Sequence, residues 1–236
     1  MRMYLNLTNL IITKVTLFYH IGKYMADIID EKLEGERLKK AQLQDLTVRT
    51  VFESASDATF HGGTAVWRCY NGNRFSKDID MYVYKEKSID KIANNLLLYG
   101  LKVKKGDRRR LMINYIVSGN GTDIALQFVK KRCNGLPIPY KNTNGTMLTV
   151  YSLSAAELIL EKIMAYEDRR LERDIYDIMV LTQSISDKSI VVAKLKEFLK
   201  DLKEPIGKDP LKNLIYEGIS PSFDQIVRYL KMWCGA

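Results

Sequence analysis

In DIDMYVY, from Asp78 to Tyr84, the apolar Ile79, Met81 and Val83 alternate with Asp78, Asp80, Tyr82 and Tyr84. A period of two predicts a strand with both carboxylates on one face and Ile79 on the other. Met25 to Ser54 reads as helices: ADIIDEKLEGERLKK is charged and weakly amphipathic, and AQLQDLTVRTVFESA places Leu43, Leu46, Val51 and Phe52 at compatible spacing. The paired glycines of TFHGGTAV signal a turn. Helix is expected to resume in TAVWRCY, and NGN marks a second turn. SIDKIANNLLLYG predicts a helix stopped by Gly100. LKVKKG, RRLMINYIVS and DIALQFVKK read as strands, the last two joined by the turn SGNGT. The stretch from Lys131 to Leu148, with Gly135, Pro137, Pro139, Asn142, Asn144 and Gly145, is expected as loop. Helix returns from Leu153 almost to the end, broken at DLKEPIGKDP by Pro205, Gly207 and Pro210. There is no internal repeat and no low-complexity tract.

These elements describe an α/β (α+β) chain in three parts: an N-terminal helical segment (1–51), an α/β core (52–150) and a helical C-terminal region (151–236), the last two able to share one core. MYLNLTNLIITKVTLFY is interrupted by Asn6, Thr8, Asn9, Thr13 and Lys14, and so falls short of the roughly 20 apolar residues of a membrane span. Without a small-residue cleavage site it is not expected to be a signal peptide. Leu7, Leu10, Ile11, Val15 and Phe18 fall near helical spacing and suggest an amphipathic element. Its β-branched residues also allow a strand, and a third reading makes Met25 the true start.

The 236 residues are 46% hydrophobic and 28% charged, which fits a globular protein and excludes a disordered one. A net charge of +9 favours a polyanionic partner, nucleic acid or nucleotide phosphate, or else marks a solvated basic surface. Cys69, Cys133 and Cys234 are odd in number and far apart, so neither a disulfide framework nor a zinc knuckle is suggested, and the cytoplasm is the expected compartment. His20 and His61 are the only histidines, which argues against a multi-histidine metal site or a Ser-His-Asp hydrolase.

The candidate chemistry starts from Asp78 and Asp80, whose spacing on a strand lets both share a hard divalent cation such as Mg²⁺. A third carboxylate on a neighbouring strand would permit a two-metal site. Asp123, which opens DIALQFVKK, is the candidate, with Asp107 as the alternative. Gly62, Gly63 and Thr64, followed by a helix start, offer free N–H groups to phosphate. Neither a P-loop nor a dinucleotide G-x-G-x-x-G is present. Downstream, ELILEKIMAYEDRRLERDIYDIMVL places Lys162, Arg169 and Arg173 at steps of seven and four, along one face of a helix.

The arrangement GGTAV…R-F-S-K-D-I-D, together with the R-D-x-x-D of Arg173 to Asp177, resembles the AbiEii/AbiGii toxin family of the nucleotidyltransferase fold, found in type IV toxin–antitoxin and abortive-infection systems. The resemblance implies a small mixed sheet flanked by helices, with a helical C-terminal region. It implies that Gly62, Gly63 and Thr64 hold the β- and γ-phosphates of an NTP with help from Arg74 and Ser76. Asp78, Asp80 and Asp123 would bind Mg²⁺, and Lys162, Arg169 and Arg173 would face the triphosphate. Asp174 matches an acid needed for activity, and Asp177 has a structural place. The implied reaction moves an NMP from an NTP onto an RNA (tRNA) or protein hydroxyl, with a cognate antitoxin as partner. The basic segments LKVKKGDRRR and VKKRCNG would grip an RNA acceptor or form a solvated hairpin, and Trp67, Tyr82, Tyr84 and Tyr115 would stack on bases or fill the core. Two other classes stand beside this one: a noncatalytic nucleotide- or partner-binding module on the same fold, and a general RNA-binding protein.

Overall fold

Ile79, Met81 and Val83 are wholly buried, and the strand they define, β2 (Ile79–Val83), lies at the middle of a seven-stranded mixed sheet. The computed structural model describes residues 29–206 and 210–235. The expected amphipathic element at 1–24, His20 and Gly207 therefore lie outside the described residues. The other strands are β1 (Ala58–His61), β3 (Lys102–Arg109), β4 (Met112–Gly119), β5 (Thr122–Val129), β6 (Leu136–Lys141) and β7 (Met147–Ser152). Their order is β3-β4-β5-β2-β1-β7-β6, with β2 parallel to β5, β1 parallel to β7 and the remaining neighbours antiparallel.

Among the described residues seven helices accompany this sheet: α1 (Gly35–Ser54), α2 (Gly62–Cys69), α3 (Glu86–Leu98), α4 (Ala155–Arg169), α5 (Glu172–Thr182), α6 (Ser189–Lys200) and α7 (Phe223–Cys234). One apolar cluster runs from Leu43 in α1 through Ile79, Met81, Leu126 and Phe128 to Ile226 and Leu230 in α7. A smaller cluster gathers Ile29, Leu33, Ala41, Trp67 and Phe75. No described helix is long and apolar enough to cross a membrane.

The expected N-terminal pair of helices is one 20-residue helix, α1, after a short 3₁₀ turn at Ile29–Glu31. Its amphipathic pattern is weak because it buries polar side chains that have partners. Gln44 donates to the Ser76 carbonyl at 2.8 Å, and Asp45 accepts from Arg68, from Tyr140 Oη at 3.0 Å and from the Thr143 N–H at 2.8 Å. The stretch expected as loop between Lys131 and Leu148 contains strand β6 and the start of β7. Pro137 and Pro139 stand at alternate positions of the edge strand, opposite Tyr151 and Thr149. Alternate N–H groups point the same way, so both missing donors fall on the open side and the ladder to β7 survives.

The single helix expected from Glu157 to Leu181 is also two. Arg170 takes a left-handed conformation (φ 45°) and its N–H closes α4 on the Tyr166 carbonyl at 2.8 Å. Helix α4 opens on a reciprocal cap: the Ser154 hydroxyl accepts from the Glu157 N–H at 3.2 Å, and the Glu157 carboxylate accepts from the Ser154 N–H at 2.8 Å. Ser154→Ala is expected to lower stability by about 1 kcal/mol, read as a shift of the urea midpoint at unchanged slope.

Candidate active site

Strand β1 ends at His61 and α2 begins at Gly62, so the chain passes from strand to helix in one step. Gly62 sits at φ 78°, and a Cβ there would lie 2.8 Å from the Asp80 Cγ. At Gly63 a Cβ would come 2.6 Å from Arg74 Nη2 and 2.8 Å from Ser76 Oγ. Position 62 requires glycine for conformation and space, and at position 63 any side chain would displace Arg74 or Ser76. Thr64 is buried and donates its hydroxyl to the Asp78 carbonyl at 2.5 Å, tying the turn to the chain just before β2. The first N–H groups of a helix have no partner within it, and here they open beside the two carboxylates.

Gly63, Arg74, Ser76, Lys77, Asp78, Asp80, Lys162, Arg169 and Arg173 line a common cleft of about 680 Å³. Burial pushes the Asp78 carboxyl above its ordinary value; Lys77 opposes that shift and the Asp80 charge adds to it. The cleft thus holds two acids close together, one of them poorly solvated, against a wall of cations.

That wall is built on two buried acids from α5. Arg74 makes a forked pair with Asp177, Nε to Oδ1 at 2.6 Å and Nη2 to Oδ2 at 2.5 Å. Lys162 Nζ reaches the same Asp177 Oδ2 at 2.6 Å and Asp174 Oδ1 at 3.5 Å. Arg169 forks onto Asp174 at 2.8 and 2.7 Å. Burial alone raises the Asp177 carboxyl, but Arg74 and Lys162 outweigh it and hold the group below the usual carboxylate range. Arg173, from α5 rather than α4, makes no side-chain hydrogen bond or ion pair among the described residues. Burial, then the neighbouring Arg169 and Arg74, lower its pKa. Among the described residues it is the cation of this wall with no ion-pair partner within 4 Å.

Asp123 is not brought to the cleft. It opens β5 opposite Ser118, exposed, whereas the residue paired with Asp80 across β2 and β5 is Gln127. Four residues of strand, about 13 Å, separate the two positions. Asp107 does line the cleft, but from β3, three strands from β2 and so about 14 Å of sheet away. Gln127, Asn114 and Lys77 line the cleft and were not singled out in the sequence. The signal for the first two is strand register, which a single sequence carries weakly.

His61 stacks on Tyr82 with ring centres 3.8 Å apart, and its Nδ1 lies 3.3 Å from Glu161 Oε2. Tyr82 donates to the same carboxylate at 2.5 Å. Trp67 is buried edge-on to Phe75 and bonds Tyr216, and Tyr115 is buried edge-on to Phe128, so both serve the core. Tyr84 stays largely exposed under Arg132.

The family profile described as nucleotidyl transferase AbiEii toxin, type IV TA system, matches residues 46–227, a span that takes in the glycine turn, Asp78 and Asp80 and the α4–α5 wall. The chain belongs to this AbiEii toxin family. Membership places it among nucleotidyltransferase toxins, whose general chemistry is nucleotidyl transfer. An uncharacterized protein of Aquifex aeolicus is similar to this AbiEii-family chain, at 23% identity over 83% of this chain and 95% of its own length. Among solved structures, the nucleotidyltransferase toxin MenT4 of Mycobacterium tuberculosis shares the fold with a TM-score of 0.60 at 13% identity, over 89% of this chain and 85% of its own. JHP933 of Helicobacter pylori does so with a TM-score of 0.63 at 17% identity, over 86% and 92%. The AbiEii fold expected from the sequence, a small mixed sheet flanked by helices with a helical C-terminal region, is the one found.

Among the described residues no group of three or more His, Cys, Asp and Glu converges on one ion position. The donor set nevertheless fits Mg²⁺, which is commonly held by one or two carboxylates and completed by substrate phosphates and water. Asp78 and Asp80 supply those two, and a cation between them would relieve the burial that disfavours the Asp78 charge.

Replacing Asp177 by Asn leaves Arg74 and Lys162 buried without their shared counterion, and the expected loss is about 3–5 kcal/mol in urea unfolding. The sign with pH follows from the lowered carboxyl. The stability Asp177 contributes is present above the unfolded carboxylate pKa, about 3.9, and is lost as pH falls through its lower folded value. Asp177→Asn is expected to flatten that acid limb in melts recorded across the range.

Proposed function

We propose that this protein is a Mg²⁺-dependent nucleotidyltransferase that moves an NMP from an NTP onto a hydroxyl of an RNA, a tRNA end being the first acceptor to test. The observation that carries this reading is the convergence of a glycine turn, the carboxylates of Asp78 and Asp80 at the start of β2, and a cationic wall in one cleft. Asp78 and Asp80 are the residues that would hold Mg²⁺. When bound, the ion supplies charge that favours the ionised acceptor hydroxyl and offsets the negative phosphates.

The N–H groups of Gly62, Gly63 and Thr64 receive the β- and γ-phosphates at the start of α2. Ser76 stands beside Gly63 and extends this cradle. Lys162, Arg169 and Arg173 face the triphosphate, with Arg173 as the cation left for it. Arg74 acts from behind the turn, because its fork is already engaged by Asp177. Asp174 and Asp177 keep these cations in place and do not touch substrate. In the reaction the acceptor oxygen bonds to the α-phosphorus and loses its proton to water, while the bond to the bridging oxygen breaks and pyrophosphate leaves with that electron pair. Holding the partners in line is the protein's main contribution.

An RNA acceptor is supported by β3 and the turn after it, where Lys102, Lys104, Lys105, Arg108, Arg109 and Arg110 are all exposed. A cognate antitoxin is the partner that the type IV toxin family implies. The reducing cytoplasm suits the three cysteines, all of them free.

Incubation with Mg²⁺ and each α-radiolabelled NTP, with and without total tRNA, tests the proposal beside Asp78→Asn. Label is expected in RNA and should drop to background in the variant, whose melting temperature stays within a few degrees of wild type. Undiminished label in Asp78→Asn would remove the metal assignment. Label in protein would move the acceptor to a protein hydroxyl, and NTP binding without any label would leave a noncatalytic nucleotide-binding module.

A further inference from the structure

Asp80 on β2 pairs with Gln127 on β5, and Gln127 pairs with Asn114 on β4. The three therefore form one row across adjacent strands, and all three line the cleft. Neighbours in such a row stand about 5 Å apart. The row leads from Asp80 of β2 toward β3, the open edge of the sheet that carries the exposed cations.

Two features of this row point to a ligand. Among the described residues the Gln127 amide donates only to the Met112 thioether, at 2.8 Å, and sulfur is a weak acceptor. Asn114 makes no side-chain hydrogen bond among the described residues. Two amides with unused donors and acceptors thus lie on a cleft floor beside Asp80. Their immediate neighbours along the strands, Ala125 and Ile116, bring no charge. An acid at position 127 would repel a phosphodiester; an amide does not. Each amide can both give and accept a hydrogen bond, as a ribose hydroxyl can.

Resting on the transfer reaction proposed above, we infer that Gln127 and Asn114 position the end of a single-stranded RNA acceptor across this floor. Gln127 takes the 2′-hydroxyl of the terminal nucleotide next to the reacting centre, and Asn114 takes the nucleotide before it. Gln127 is then a specificity-determining residue, because the 2′-hydroxyl is what separates RNA from DNA at such a contact. The basic β3 edge supplies attraction for the rest of the strand without reading it.

The test uses the full-length protein and two fluorescent single-stranded probes of one short sequence, RNA and DNA, each ending in a free 3′-hydroxyl. Wild type is expected to bind the RNA more tightly. Gln127→Ala should weaken RNA binding about five- to tenfold, the loss of roughly one hydrogen bond, while DNA binding and NTP binding stay unchanged. Asn114→Ala should give a smaller loss on RNA alone and serves as the second variant if Gln127→Ala folds poorly. In steady-state transfer the Gln127 variant should raise the KM for RNA and leave the KM for NTP alone. Equal losses on RNA and DNA, no loss on either, or a loss of NTP affinity instead would overturn the assignment, as would label landing on a protein hydroxyl. If wild type transfers no label yet binds RNA through Gln127, the transfer reading fails and the contact stands. If transfer proceeds and neither RNA binding nor KM responds to Gln127, only the contact fails.

Discussion

The carboxylate of Asp177 is the point on which the cleft depends. It is wholly buried in α5, yet it meets Arg74 from the segment before β2 and Lys162 from α4. An isolated ion at that depth would cost several kcal/mol, and two cations offset the cost only while all three segments stay docked. The same contact fixes the back of the glycine turn, since Arg74 Nη2 fills the space that a side chain at position 63 would need. Docking of the C-terminal helices and formation of the cleft at the glycine turn are therefore one event. Neither the sheet nor the helices carry a complete site alone.

Charge is distributed in a way that the net figure of +9 conceals. Inside the cleft Arg74, Lys162 and Arg169 are paired with Asp174 and Asp177, while Lys77 and Arg173 line it without an ion pair among the described residues. A run of exposed positive charge lies outside it, along β3 and the turn that follows. Cations of the first kind fix geometry and respond little to salt. Those of the second kind set long-range attraction and are screened over about 10 Å at moderate ionic strength.

Features that arise from local backbone rules were legible in the sequence. The paired glycines announced the turn, Gly62 through its positive φ and Gly63 through the crowding behind it, and the period of two in DIDMYVY placed Asp78 and Asp80 together. What failed to show depends on distant partners. Helix α1 hid its inward face because Gln44 and Asp45 are satisfied by residues remote in sequence. Arg170 broke a helix without the glycine that usually marks such a stop. The prolines of β6 read as loop because only a strand at the sheet's edge can carry them. Asp123 was expected in the site, and Gln127 stands there instead, because a slip of four residues along a strand changes nothing in the local pattern.

The two edges of the sheet are guarded by different physics. At β6, Pro137 and Pro139 remove the donors that a foreign strand would need, a protection no change of solvent can undo. At β3 the backbone remains competent to pair, and mutual repulsion between lysines and arginines keeps copies of the chain apart. That second guard weakens as salt rises, and a bound polyanion would replace it with a cover. An occupied edge would thus be the better protected one against edge-to-edge association, so a polyanion on β3 would also act as its shield.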